Sequence, residues 1–251
     1  MTKAYKWDET KNIVIPGDQA ATVDFCAKHF IYCAENALQS HGKFFVALSG
    51  GSTPKAIYQL LSTSYVKALP WDKVYVFWSD ERSVPPDHQE SNYHMTMSSG
   101  FSKLPIPPEQ IFRMQAENHV KENARAYELL IQKHLKDYPF DLIMLGMGED
   151  GHTASLFPNT EALKETRHDI VANYVPQKQT WRMTMTFTCI NKAKNIAIYV
   201  LGDAKKETFK QIFQERDPLL LPPAALVGSR EHPALWILDL AASSLVTKLH
   251  P

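Results

Sequence analysis

The 251-residue sequence predicts an α/β fold, a mainly parallel sheet with helices on both faces. Two observations carry this. Short runs rich in β-branched and aromatic residues recur along the chain, each bounded by Gly, Pro or polar clusters, and read as strands. Segments with apolar residues at helical spacing lie between them. A third observation sets the scale: 44% hydrophobic and 22% charged residues are an ordinary globular composition, and the length suits one domain over 1–251.

Taken in order, Val23, Ala27, Phe30, Ala34 and Leu38 mark a first helix, followed by strands at Lys43–Leu48 and Lys73–Trp78 with helix-like Lys55–Leu61 between them. Val120, Ala124, Tyr127, Ile131 and Leu135 mark a longer helix, and Phe140–Leu145 reads as a strand buried on both faces. Met183–Phe187 alternates apolar and polar residues as a half-exposed strand does, so one edge or one extra layer is expected to be antiparallel. Asn195–Leu201 and Ala234–Asp239 complete the strands, with Gly202–Lys205 starting a helix between them. The proline-bearing stretches 85–86, 105–108 and 218–223 read as loops. No internal repeat or low-complexity linker interrupts the pattern.

Charge and cysteine content exclude several classes of function. Lys and Arg number 27 and Asp and Glu 27, so no positive excess is available for a polyanion, and neither nucleic acid nor a membrane surface is expected as a partner. No apolar stretch reaches the ~18 residues that span a bilayer, and Met1–Glu9 lacks the apolar core of a secretory signal. A cytoplasmic protein is expected. Cys26 and Cys33 are seven apart on one helix, about 10.5 Å along its axis and too far for a disulfide. They and Cys189 read as reduced, packed thiols, and no CxxC or HExxH spacing suggests a metal.

Three loops carry the chemistry. In Ser49-Gly-Gly-Ser-Thr-Pro54 a strand runs into two glycines, with Thr53 as the expected N-cap and Pro54 as the first helical residue. Gly50, Gly51, Ser52 and Thr53 would form a phosphate cradle at a helix N-terminus; a plain tight turn has the same sequence. In Trp78–Asn92, Arg82 is suited to a phosphate, with Asp80 or Glu81 setting its direction, although a solvated charge cluster reads the same way.

In Gly146-Met-Gly-Glu-Asp-Gly-His152 a buried strand empties into a glycine-rich loop bearing Asp150 and His152. Gly146, Gly148 and Gly151 match GxGxxG formally, but Glu149 and Asp150 would repel a pyrophosphate, and Asp169 precedes an apolar run where a ribose acid should end a strand. The catalytic reading is stronger: an imidazole with a carboxylate two residues away to hold its tautomer. A histidine that merely bonds a local carbonyl is the bland alternative. All three loops leave the carboxyl ends of strands, where ligands bind in open parallel sheets, so the signals converge on one cleft. Arg182 and Lys205 are further candidates for it, while His88 and His94 read as non-metal loop and helix residues.

Together, Ser49–Pro54, Asp80-Glu-Arg82 with Pro85-Pro-Asp87 and Ser91-Asn92, and above all Gly146–Pro158 resemble the 6-phosphogluconolactonase family. The resemblance runs through Arg182, Gly202–Lys205 and the closing Trp236–Ala242, departing at Asn159, where the family often has Gly. It implies a Rossmann-like sheet of the glucosamine-6-phosphate deaminase/ribose-5-phosphate isomerase type and hydrolysis of 6-phospho-D-glucono-1,5-lactone without metal or cofactor. The small-molecule sugar-phosphate lactone is then the expected partner, and the sequence leaves the oligomeric state open. A lactone is an activated ester, so a base and a positioned water suffice, in keeping with the absence of a GxSxG elbow. His152 is the expected base and Asp150 its orienting partner. Gly50, Gly51, Ser52, Thr53 and Arg82, with Arg182 and Lys205, are expected to hold the phosphate, and Asp80 to orient the substrate. The rival readings are an amino-sugar-phosphate deaminase or isomerase, and a non-catalytic sugar-phosphate sensor, which would call for a DNA-binding segment that 251 residues do not accommodate.

Overall fold

The computed structural model describes residues 2–136, 138–215 and 217–246. Its centre is a seven-stranded sheet in the order β1-β2-β10-β9-β6-β3-β4. The strands are β1 (Tyr5–Lys6), β2 (Lys11–Gly17), β3 (Phe44–Leu48), β4 (Val74–Trp78), β6 (Leu142–Gly146), β9 (Ile196–Val200) and β10 (Ala234–Asp239). All neighbours are parallel except the edge pair β1–β2. β3 and β9 are buried along their whole length, which is why their sequences are continuous apolar runs without alternation.

β2 is a strand that the sequence does not announce, because Lys11, Asn12 and Pro16 dilute it. Pro16 falls where the β2–β10 register slips between Ile237 and Asp239, so its missing N–H spoils no regular ladder. The helix α1 (Gln19–His41) packs on β2, β3, β10 and on α2 (Ser52–Ser62). It carries Cys26 and Cys33, both buried and unbridged.

The expected antiparallel layer is a separate three-stranded sheet, β5-β8-β7, made of β5 (Asp80–Arg82), β7 (Ile170–Val175) and β8 (Thr180–Met185). β8 corrects the expected strand at 183–187: it starts earlier, placing Arg182 inside the strand, and stops because Thr186 caps the short helix α5 (Phe187–Ile190) by accepting the Cys189 N–H. The long helix α4 (Val120–Leu135) lies against β7 and β8. Its Tyr127 hydroxyl accepts the Trp78 N–H at 3.1 Å, pinning the end of β4.

Ser79 alone separates β4 from β5. Its N–H and hydroxyl both donate to the Leu48 carbonyl, at 2.8 and 3.0 Å, and its carbonyl accepts the Met185 N–H at 2.8 Å, so one residue belongs to both sheets. The remaining helices are α3 (Asn92–Ser98), α6 (Lys206–Gln214) and α7 (Leu240–Ser243). α6 is held by Phe209 and Phe213, which pack on the buried Trp236 of β10 at 6.3 and 5.0 Å between ring centroids.

This order positions the site. From β3 the chain moves outward to β4, then returns to the other side of β3 to lay down β6 and β9. The crevice between the carboxyl ends of β3 and β6 is therefore a topological switch point. The loops after β3, β4, β6 and β9 all open there.

Candidate active site

The loop after β3 is built to leave N–H groups open. The Tyr58 hydroxyl accepts the Ser49 N–H at 3.0 Å and donates to the Ser49 carbonyl at 2.8 Å, clamping the strand end. α2 then starts at Ser52, with Gly51 at φ +105° as its N-cap and no capping side chain. This corrects the expectation that Thr53 is the cap and Pro54 the first helical residue: the helix begins earlier. Pro54 is tolerated in the first turn because an N–H there has no intrahelical partner to lose. Gly50 has no room for a side chain, since a Cβ would stand 1.9 Å from Asn92 Oδ1.

The stretch after β4 supplies a buried carboxylate and one arginine, and β8 brings a second arginine beside it. Asp80 accepts Ser155 Oγ at 2.6 Å and Asn92 Nδ2 at 3.1 Å. Glu81 turns away to accept the N–H groups of Arg82, Asn92 and Tyr93, capping α3 together with Ser91. Neither carboxylate pairs with Arg82, contrary to expectation: Arg82 Nη1 donates to the Glu90 carbonyl instead.

Arg82 stands opposite Arg182 in the β5–β8 register, and the buried Nε of each has no hydrogen-bond partner among the described residues. Burial, and then the charge of Arg82, push the Arg182 guanidinium below its ordinary pKa. Two adjacent cations without an ion pair among the described residues are a poor arrangement for stability alone and a good one for receiving a dianion.

The loop after β6 closes on itself. Gly148 N–H donates to the His152 carbonyl at 2.8 Å, and the Thr153 hydroxyl to the Gly146 carbonyl at 2.9 Å. Within this turn Asp150 Oδ1 lies 2.5 Å from His152 Nδ1 and 3.2 Å from the His152 N–H. Burial acts to raise the Asp150 carboxyl, but the hydrogen bond and charge of His152 outweigh it and hold the group below the usual carboxylate range. The imidazole stacks on Phe157 at 3.9 Å between centroids. With Nδ1 donating to the carboxylate, Nε2 is the nitrogen left with a lone pair for a ligand.

These parts surround one cleft of about 260 Å³. Gly50, Gly51, Ser52 and Thr53 form one wall, Asp80 and Arg82 another; His152 and Lys205 also face it. Asp150 and Arg182 are not on the walls: each adjoins a residue that is, His152 and Arg82 respectively. Sequence reasoning missed Ser155, whose bond to Asp80 ties the histidine loop to the arginine loop, and Tyr199, a wall residue whose buried hydroxyl has no partner among the described residues. Tyr199 gave no signal because it sits in a run that reads as core. Among the described residues no group of three or more His, Cys, Asp or Glu side chains is placed to hold a metal ion, and no helix is long and apolar enough to cross a membrane.

Comparison with known proteins points to one family. The family model for glucosamine-6-phosphate isomerases/6-phosphogluconolactonase matches residues 17–236. A 6-phosphogluconolactonase of Chlamydia pneumoniae is 41% identical over 95% of this chain and 92% of its own length. One from Nostoc sp. is 34% identical over 93% of this chain and 98% of its own. Among solved structures, 6-phosphogluconolactonase from Trypanosoma cruzi superposes with a TM-score of 0.85 at 26% identity, covering 97% of this chain and 99% of that one.

Proposed function

The chain belongs to the glucosamine-6-phosphate isomerase/6-phosphogluconolactonase family, and from that premise we propose that it hydrolyses 6-phospho-D-glucono-1,5-lactone to 6-phospho-D-gluconate in the oxidative pentose phosphate pathway. It is then a carboxylic ester hydrolase, working in the cytoplasm as one domain.

One observation carries the mechanism: His152, with Nδ1 engaged by Asp150, faces the same cleft as the glycine loop, Arg82 and Lys205. The substrate phosphate lies against the open N–H groups of Gly51, Ser52 and Thr53 at the start of α2, where the helix dipole favours negative charge. Gly50 lets the backbone approach, Arg82 and Lys205 neutralise the dianion, and Arg182 adds its charge from beside Arg82. Asp80, held by Ser155 and Asn92, accepts hydrogen bonds from the sugar hydroxyls and sets the ring's orientation.

With the phosphate fixed, the lactone carbonyl sits beside His152. Nε2 takes a proton from a water as its oxygen attacks C1. The tetrahedral adduct collapses by breaking the bond from C1 to the ring oxygen, and the imidazolium returns the proton to that oxygen as it leaves. Asp150 steadies the imidazolium between the two steps. Binding energy spent at the remote phosphate is thereby used to position the reacting carbon.

The test is a coupled assay on freshly generated lactone, corrected for spontaneous opening. General acid–base help is worth roughly 100- to 10,000-fold, so His152→Ala should lose at least two orders of magnitude in kcat. A near-normal rate would remove His152 from the mechanism. Ammonia release from glucosamine-6-phosphate would favour the deaminase reading, and tight binding of the lactone without turnover the sensor.

A further inference from the structure

The turn bearing His152 is gripped from outside by a part of the chain with no place in the chemistry. Thr208, in the first turn of α6, donates its hydroxyl to the Glu149 carbonyl. The Ala224 N–H donates to the Gly151 carbonyl at 2.9 Å. Pro222 fills the space beside Gly151, where a Cβ would stand 2.3 Å from Pro222 Cβ and where φ is +73°. The carbonyls on either side of Asp150 are therefore both held by the segment that runs from α6 to residue 226.

That segment begins at the phosphate end of the cleft. Lys205, on the cleft wall, immediately precedes α6, and Thr208 follows three residues later. Phe209 and Phe213 anchor the helix on Trp236, and Phe213 also meets Trp7 edge-on at 5.2 Å. Gln211 Nε2 donates to the Leu220 carbonyl at 2.9 Å, tying the helix to the strap that follows it. A lysine on the cleft wall and a hydroxyl that holds the histidine turn thus stand three residues apart at the start of one helix.

We infer that Thr208 is a positioning residue: through α6 it couples the engagement of Lys205 with the substrate phosphate to the placement of the Asp150–His152 turn. The inference rests on the function proposed above. Phosphate binding at this end of the cleft then raises kcat in addition to affinity, because the occupied Lys205 fixes the helix whose next turn sets the histidine.

Two measurements decide the matter. Thr208→Val should lower kcat on the phosphorylated lactone about tenfold with KM within twofold, since a sub-ångström displacement of a catalytic group costs that order of rate. Thr208→Ser, which keeps the hydroxyl, should restore it. An unchanged kcat, or a rise in KM alone, would overturn the inference; a Thr208→Ser rate as low as that of Thr208→Val would assign the effect to packing and overturn it as well.

The second measurement needs no turnover. Inorganic phosphate should slow amide hydrogen exchange in residues 147–152 of the wild-type protein, and should do so neither in Thr208→Val nor in Lys205→Ala. Equal slowing in all three, or none in the wild type, would refute the coupling. A wild-type protein that leaves the lactone at its spontaneous rate would defeat the proposed function, while the exchange result would still decide the coupling.

Discussion

Gly148→Ala probes the histidine turn with the smallest possible addition. Gly148 is not among the glycines with positive φ, so its backbone accommodates alanine and the perturbation is confined to one methyl group. That methyl would stand 2.1 Å from His152 Nδ1, 2.3 Å from Cε1 and 2.6 Å from Asp150 Oδ1. Moving Nδ1 from 2.1 Å to the 3.4 Å of ordinary contact displaces the ring by about 1.3 Å and pulls it from the Asp150 carboxylate. A misplacement of about 1 Å costs on the order of 100-fold in rate. Loss of one partly exposed hydrogen bond costs only about 1 kcal/mol, or about 2–4 °C in Tm for a chain of this size. The expected result is a folded protein with kcat down about 100-fold on freshly generated lactone and a nearly unchanged thermal transition. A kcat within threefold of wild type would show that the tight Asp150–Gly148–His152 packing does not set catalytic geometry.

Four further outcomes follow from the same structure. Asp150→Asn keeps the shape of the pair and removes the charge that steadies the imidazolium; kcat should fall on the order of 100-fold with KM little changed, measured in the same assay. Arg82→Ala should raise KM for the phosphorylated lactone at least tenfold while leaving hydrolysis of phosphate-free gluconolactone within twofold, and equal damage to both substrates would remove Arg82 from phosphate binding. Burial raises the Glu81 carboxyl even though three backbone N–H groups favour its ionised form; Glu81→Gln sets an amide against those donors and should cost about 2 kcal/mol in a denaturant titration. Burial depresses His29 to about 4, so below pH 6.5 the unfolded chain takes up a proton that the folded one refuses. Stability should therefore fall by up to about 3 kcal/mol between pH 6.5 and 4, and His29→Gln should flatten that limb; an unchanged slope would exclude His29 as its source.

The elements that read clearly from sequence are those whose burial is uniform. Phe44–Leu48 and Ile196–Val200 lie between helical layers and need apolar residues at every position, so composition alone reveals them. β5 is invisible for the opposite reason: Asp80, Glu81 and Arg82 are a strand only because β8 pairs with them, and their residue types suit a loop equally well. β2 carries Lys11, Asn12 and Pro16 and does not stand out, whereas β7 is an apolar run broken only by Asn173. In the site, the residues on strand-terminal loops were legible because such loops have few structural reasons to hold Gly-Gly or Asp-Gly-His. The register that sets Arg182 beside Arg82, and the contact of Ser155 with Asp80 across 75 positions, exist only in three dimensions.

The double membership of Ser79 bears on how such a cleft can change. The glycine loop belongs to the large sheet and the arginines to the small one, so a phosphate held by both would bridge the two sheets. A single buried hydroxyl-bearing residue, bonded to Leu48 on one side and Met185 on the other, joins them. The grip on the phosphate is then a property of a joint as well as of the contact residues. Descendants of this chain could tighten or loosen that grip by adjusting the small sheet alone, while the imidazole and the glycine loop stay where the large sheet puts them.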